Sequence, residues 1–169
     1  MNKLTIISLL ILSLFMTAKS QDSENLTRKE KKRLEEKLRM EKIQQLLDSK
    51  NFVFNVETIF PRGGGSINMG YDFDVQVKDE LVTSYLPFIG TSYTSNLGGQ
   101  KSGFDFTEPM ENFSIKKKRK GFKVEFEVDN RSDHINFTLH VTTTGFATLS
   151  VASTQRQSIS YYGTINEVK

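Results

Sequence analysis

The sequence predicts a mainly β protein: one N-terminal α-helix followed by an antiparallel meander that closes into an up-and-down barrel or half-barrel. Three observations carry that prediction. From Phe52 onward the apolar residues leave helical spacing and alternate. Residues 71–77 (YDFDVQV), 122–128 (FKVEFEV) and 135–141 (INFTLHV) each show one apolar and one polar face, as expected of a sheet covered on one side. The connections between successive runs are short, whereas parallel strands need long crossovers. About eight strands joined in this way remove their edges best by curling closed. An open two-sheet β-sandwich is the alternative.

The first segment, residues 1–20, reads as a secretory signal peptide. Lys3 supplies the positive start, residues 4–16 are apolar except for Thr5, Ser8 and Ser13, and Ala18-Lys19-Ser20 offers small residues to a peptidase. The apolar run is shorter than the ~20 residues of a membrane span. Cleavage after Ser20 and a periplasmic or secreted product are therefore expected, with no membrane-spanning segment left. The chain has no cysteine, which excludes a thiol-linked lipid anchor and any disulfide. Packing must supply the stability, and with thirteen Phe and no Trp, phenylalanine is the main aromatic packing residue.

Residues 21–50 form the second segment, a basic amphipathic helix. Thr27 and Glu30 have the spacing of a capping box. Residues 28–49 are strong helix formers without Gly or Pro. Leu34, Leu38, Ile43, Leu46 and Leu47 make a stripe that widens toward the C-terminal end, with Met40 off the line. The second half of the helix is therefore expected to dock and the first turns to be solvated, with Lys50-Asn51 ending it.

Residues 51–169 form the β domain. Strands are expected over 52–60, 71–77, 81–88, 104–107, 113–117, 122–128, 135–141, 146–152 and 158–165. Turns separate them at 61–65, 78–80, 96–99, 118–121, 129–133 and 144–145.

The formal charge of +3 falls to +1 once Lys3 and Lys19 leave with the signal. Such a balance exerts no net pull on nucleic acid or anionic membrane, and no nucleic-acid partner is expected. The charge is uneven, however. Residues 28–50 hold nine basic and five acidic side chains, and residues 51–169 hold twelve and thirteen.

No catalytic constellation emerges. Asp72 and Asp74 on one strand face would stand ~7 Å apart, a spacing open to acid/base chemistry on sugars. Alternation alone also explains them as a solvated face. His134 and His140 are the only histidines, and without cysteine they supply no metal-ligand set. Gly63-Gly64-Gly65 leads toward a strand rather than a helix, so it reads as a flexible loop and not a phosphate cradle. Lys116-Lys117-Lys118-Arg119-Lys120 reads either as a polyanion grip or as a solvated hairpin tip. No cofactor is expected.

Two segments are candidates for binding. Tyr85, Leu86, Pro87, Phe88 and Tyr93 precede a long small-residue loop and would form a barrel mouth or a cap. Arg156, Ser158, Ser160 and Tyr162 combine a cation, hydroxyls and an aromatic ring, while Ile159 and Tyr161 fall on the opposite, apolar face.

The order of these elements also carries a family likeness. The helix opening Leu26-Thr27-Arg28-Lys29-Glu30-Lys31-Lys32 leads into Lys50-Asn51-Phe52-Val53-Phe54. Ser84-Tyr85-Leu86-Pro87-Phe88-Ile89-Gly90 follows, then Gly145-Phe146-Ala147-Thr148-Leu149-Ser150-Val151. The most specific block closes the series: Arg156-Gln157-Ser158-Ile159-Ser160-Tyr161-Tyr162-Gly163. Over nearly the whole mature chain this resembles the small exported bacterial proteins grouped as a domain of unknown function, DUF4251. The resemblance implies a Gram-negative envelope protein with a lipocalin-like β topology and no assigned activity. Some relatives look lipid-anchored, for which this chain lacks the cysteine. The expected function is therefore that of an exported, non-catalytic β-barrel module that binds a small ligand or an envelope partner at its mouth. The alternatives are an interaction protein docking through its N-terminal helix and, third, a hydrolase.

Overall fold

The computed structural model describes residues 27–70, 72–93 and 103–168. The expected signal peptide and the 96–99 turn lie outside them. The chain divides into two compact units, Met1–Lys37 and Leu38–Lys169. Of the first, the described part is the start of α1 (Arg28–Asp48). Its capping box is formed. The Thr27 N–H donates to Glu30 Oε2 at 2.8 Å, the Thr27 hydroxyl to the same oxygen at 2.7 Å, and the Glu30 N–H to Thr27 Oγ1 at 3.4 Å. The Thr27 hydroxyl and then its N–H hold the Glu30 carboxyl below the usual carboxylate range. Leu34 is exposed.

In the second unit the rest of α1 packs on the sheet. Leu47 is fully buried, Ile43 nearly so, and Met40 and Leu46 pack partly against them, while Leu38 stays exposed. Lys50 ends the helix with a φ of 50°, its N–H donating to the Leu47 carbonyl at 3.2 Å. The chain then enters β1 directly.

The strands are β1 (Asn51–Phe60), β2 (Ile67–Asn68), β3 (Asp74–Lys78), β4 (Leu81–Leu86), β5 (Phe104–Pro109), β6 (Glu111–Lys118), β7 (Gly121–Asn130), β8 (Asp133–Thr142), β9 (Phe146–Ser153) and β10 (Ile159–Glu167). They form one sheet in the order β5-β4-β3-β1-β10-β9-β8-β7-β6, with β2 also paired to β1. Every pairing is antiparallel. The sheet curls into a half-barrel, the expected class, and not into two stacked sheets. The first and last long strands meet, as closure requires. The two free edges, β5 and β6, are separated in the chain by Met110 alone and run in the same direction. One bent strand thus supplies both edges, its first half to β4 and its second half to β7.

β1 needs a bulge to serve two partners along its outer edge. Its register shifts between Val56 and Thr58. Before the shift it pairs with β3; after it, Thr58 and Ile59 pair with β2, and the Met69 N–H reaches the Glu57 carbonyl at 2.8 Å. Opposite the bulge stands Gly163, where a Cβ would collide with the Asn55 carbonyl oxygen. The bulge also explains two departures from the sequence expectation. β3 starts at Asp74 rather than at residue 71: the last bond on this side runs from the Val56 N–H to the Phe73 carbonyl at 2.9 Å, and from Glu57 onward β1 turns to the β2 segment instead. β2 spans two residues, too few for a period to show.

The alternation set out above becomes the core. Phe52, Phe54, Phe104, Phe122, Phe126 and Phe137 are each 2% exposed or less, and Val, Ile and Leu from β1, β3, β4, β7, β8, β9 and β10 fill between them. Phe126 and Phe137 stack at 4.9 Å, Phe113 continues the stack on β6, and Phe106 meets Phe137 edge-on from β5. These rings bridge the two free edges. Because Leu47 belongs to this core, Leu47→Ala should cost about 2–5 kcal/mol in urea denaturation, the range for emptying a fully packed aliphatic site. Leu38→Ala, earlier on the same stripe but exposed, should cost less than about 0.5 kcal/mol.

Candidate functional site

At the end of the half-barrel where β4, β5 and β9 meet, two segments separated by some sixty residues close on each other. The organiser is Asp133, a buried carboxylate at the start of β8. It accepts the Ser153 hydroxyl at 2.7 and 2.8 Å, the Thr154 hydroxyl at 3.0 Å and the Gln155 N–H at 3.3 Å. Ser153 Oγ in turn accepts the Gln155 and Arg156 N–H groups at 3.0 and 3.1 Å. This network holds the chain after β9 in a tight turn that presents Arg156.

The segment after β4 pairs with that turn. Ser92 bridges Arg156, the Tyr93 N–H donates to the Gln155 carbonyl at 2.7 Å, and the Gln157 N–H donates to the Thr91 carbonyl at 3.1 Å. The Arg156 guanidinium lies over the rings of Phe88 and Phe104, at 5.5 and 4.8 Å from their centroids. Its Nη1 donates to the Gly103 carbonyl at 2.8 Å. Below it, the buried Tyr161 hydroxyl donates to the Pro87 carbonyl at 2.8 Å. Burial raises the Tyr161 phenol well above its ordinary value, against a smaller opposing pull from the Arg156 cation. A neutral phenol is what a carbonyl acceptor needs.

The structure thus brings together Leu86, Pro87, Phe88 and Arg156 and adds Tyr161, Phe104 and Gly103. The other expected residues lie around or away from this clasp. Tyr93 is exposed at its rim, and Ser158 is exposed just after it. Tyr85 is on the outer sheet face, stacked on Phe73 at 5.2 Å. Ser160 bonds to Ser150 at 3.2 Å, and Tyr162 stacks on Phe146 at 5.9 Å, both on that same outer face. Sequence reasoning missed Asp133, which lay inside an expected turn. The Ser-Thr pair at 153–154, ending the strand that pairs with β8, was the available signal.

The remaining candidates resolve as follows. Asp72 sits in a turn and Asp74 in β3, where it bonds the Gln76 amide at 2.9 Å, so they do not share a strand face. Among the described residues, no three His, Asp or Glu side chains converge as a metal site. The lysine run occupies the end of β6 and the β6–β7 turn. Lys123 and Lys116 hold the Glu125 carboxyl below its ordinary range, at 2.6 and 3.0 Å. Because β6 is a sheet edge, lysines along it also obstruct pairing with another chain. His134 Nδ1 lies 2.6 Å from Asp129 Oδ1.

The matching family is the domain of unknown function DUF4251, over residues 34–165. The chain belongs to the DUF4251 family. A similar solved structure is the crystal structure of a DUF4251 family protein from Bacteroides eggerthii. It is 12% identical and superposes with a TM-score of 0.58 over 77% of this chain and 88% of that one. At that identity the likeness speaks for the fold alone. Comparison with curated proteins returned no match. Among the described residues, no helix is long and apolar enough to cross a membrane.

Asp133→Ala should destabilise the protein by about 1–3 kcal/mol in urea denaturation, since several donors lose their acceptor at once. His134 should titrate above its ordinary 6.5, chiefly through its hydrogen bond to Asp129, as followed by NMR of its ring protons. The sign follows from that raised value. The His134–Asp129 contact supports the fold fully below pH 6.5 and is lost as pH rises through the folded-state value. Asp129→Asn should bring the titration back toward 6.5 and flatten that slope.

Proposed function

We propose that the protein is an exported, non-catalytic binding module that engages an envelope partner at the rim of the Arg156 clasp. The carrying observation is that two segments distant in sequence are locked together there, leaving Tyr93 and Ser158 exposed beside a rigid scaffold. A partner at the rim is favoured over a small ligand inside the half-barrel, because the inward-facing phenylalanines already pack against one another. The clasp offers a neutral tyrosine, a carboxylate engaged by hydroxyls and backbone N–H groups, and a stacked guanidinium, none arranged as a nucleophile with its base. The burial of Ile43 and Leu47 also assigns the second half of α1 to the core rather than to a detachable docking arm.

A photoreactive amino acid at position 93 should yield a discrete crosslinked partner in intact cells, and one at exposed position 140 should not. Ser158→Trp, which crowds the rim without touching the core, should abolish that adduct. Equal crosslinking from 93 and 140, none from 93, or an adduct indifferent to Ser158→Trp would each overturn the rim as the site.

A further inference from the structure

The opposite end of the same unit has a different chemistry. Its centre is the β8–β9 turn. On one side of that turn, Thr142 pairs with Gly121, the first residue after the β6–β7 turn, which carries Arg119 and Lys120 and follows Lys118 at the end of β6. On its other side, Thr143 and Thr144 line an open groove of about 770 Å³ together with Arg39 and Lys42 of α1. Five cations from two separate stretches of sequence are therefore gathered around one turn. Arg39, Lys42, Lys118, Arg119 and Lys120 are all exposed.

Charge at this end exceeds what solubility or edge protection needs. Lys116 and Lys117, inside the edge strand that Lys118 ends, suffice to obstruct edge pairing. Lys116 is directly opposite Lys123, a like-charged cross-strand pair that destabilises a hairpin. Glu125 relieves that pair with its two oxygens. Outside the 116–120 run, residues 51–169 hold seven basic and thirteen acidic side chains, so the basic end contrasts with an acidic remainder. A domain with near-zero net charge thus carries a strong local positive field.

Apolar surface accompanies the cations. The groove includes Ile43, Leu46 and Ile165 among its lining, with Glu167 as an acidic member. Leu38, one helical turn before Lys42, is 55% exposed, and Phe146, directly after Gly145, is 43% exposed. A soluble polyanion uses only the charges. A bilayer surface offers phosphates at the headgroups and hydrocarbon just below, and so matches both features.

We propose that this end of the protein is a peripheral docking surface for anionic phospholipid headgroups. Lys118, Arg119 and Lys120 meet the phosphates on one side of the β8–β9 turn, and Arg39 and Lys42 meet them on the other. Phe146 and Leu38 contact the interfacial hydrocarbon. The proposal is independent of the rim site, which lies at the other end of the strands.

The test is co-sedimentation of the purified protein with vesicles of equal parts phosphatidylglycerol and phosphatidylcholine, and with vesicles of phosphatidylcholine alone, at about 0.1 M salt, where exposed charges are screened beyond roughly 10 Å. Binding is expected to the anionic vesicles only and to weaken as salt rises. K118Q/R119Q/K120Q and R39Q/K42Q, all at exposed positions, should each weaken it at least about tenfold, given the worth of a basic residue near an anionic surface. F146S should weaken vesicle binding while leaving retention on heparin unchanged. Unaltered circular dichroism of each variant confirms its fold. No binding to anionic vesicles, equal binding to both compositions, undiminished binding by the charge variants, or heparin retention without vesicle binding would each overturn the proposal.

Discussion

A single sheet with one apolar face must hide that face and also deal with two open edges. In this protein both problems are met by curvature. The sheet bends until β1 pairs with β10, the apolar face turns inward, and the two edges become successive halves of one bent strand around Met110. Everything else follows from that curvature. It requires the bulge in β1 and the absence of a side chain at Gly163. It also requires large rings to fill the widening interior, which the Phe126–Phe137 stack and its neighbours on β5 and β6 supply. With no cysteine available, this packing and the docked half of α1 carry the stability.

Curling leaves two ends, and the chain treats them differently. One end is closed by hydrogen bonds. There a buried carboxylate, two hydroxyls and backbone amides fix a turn, and the turn fixes Arg156 between two rings. Such a network is rigid when every member is satisfied and fragile when its acceptor is lost, which places much of the local order on Asp133. The other end is left wet, cationic and partly apolar around the β8–β9 turn. A fold whose interior is occupied by its own side chains has its ends and outer face left for recognition.

Much of the fold was legible from residue patterns. Alternation and turn chemistry together placed the nine strands other than β2 to within a few residues, the capping box located the helix start at Thr27, and the widening stripe separated the docked half of α1 from the solvated first turns. Departures occurred where a residue's role depends on a partner far away. Asp72 looked like a strand residue because it alternates with Phe73, but the bulge at Glu57 removed the neighbour that would have paired with it. β2 exists only because β1 runs on past β3 and needs a partner there.

The clasp divides the same way. Both of its segments stood out by composition, yet their meeting did not, because the Ser92–Arg156 bridge joins two segments outside the strands and far apart in sequence. Asp133 drew no attention because a lone aspartate in a turn is ordinary until its environment is known to be dry. By itself, then, the sequence determined the class of fold, the order and facing of its strands, and the residues able to form a core. Periodicity and turn chemistry are local and can be read along the chain. The tertiary structure alone decided where the sheet bulges, which carboxylate is buried, and which cations share an end. Those properties are set by pairings between distant strands, and no local pattern encodes them.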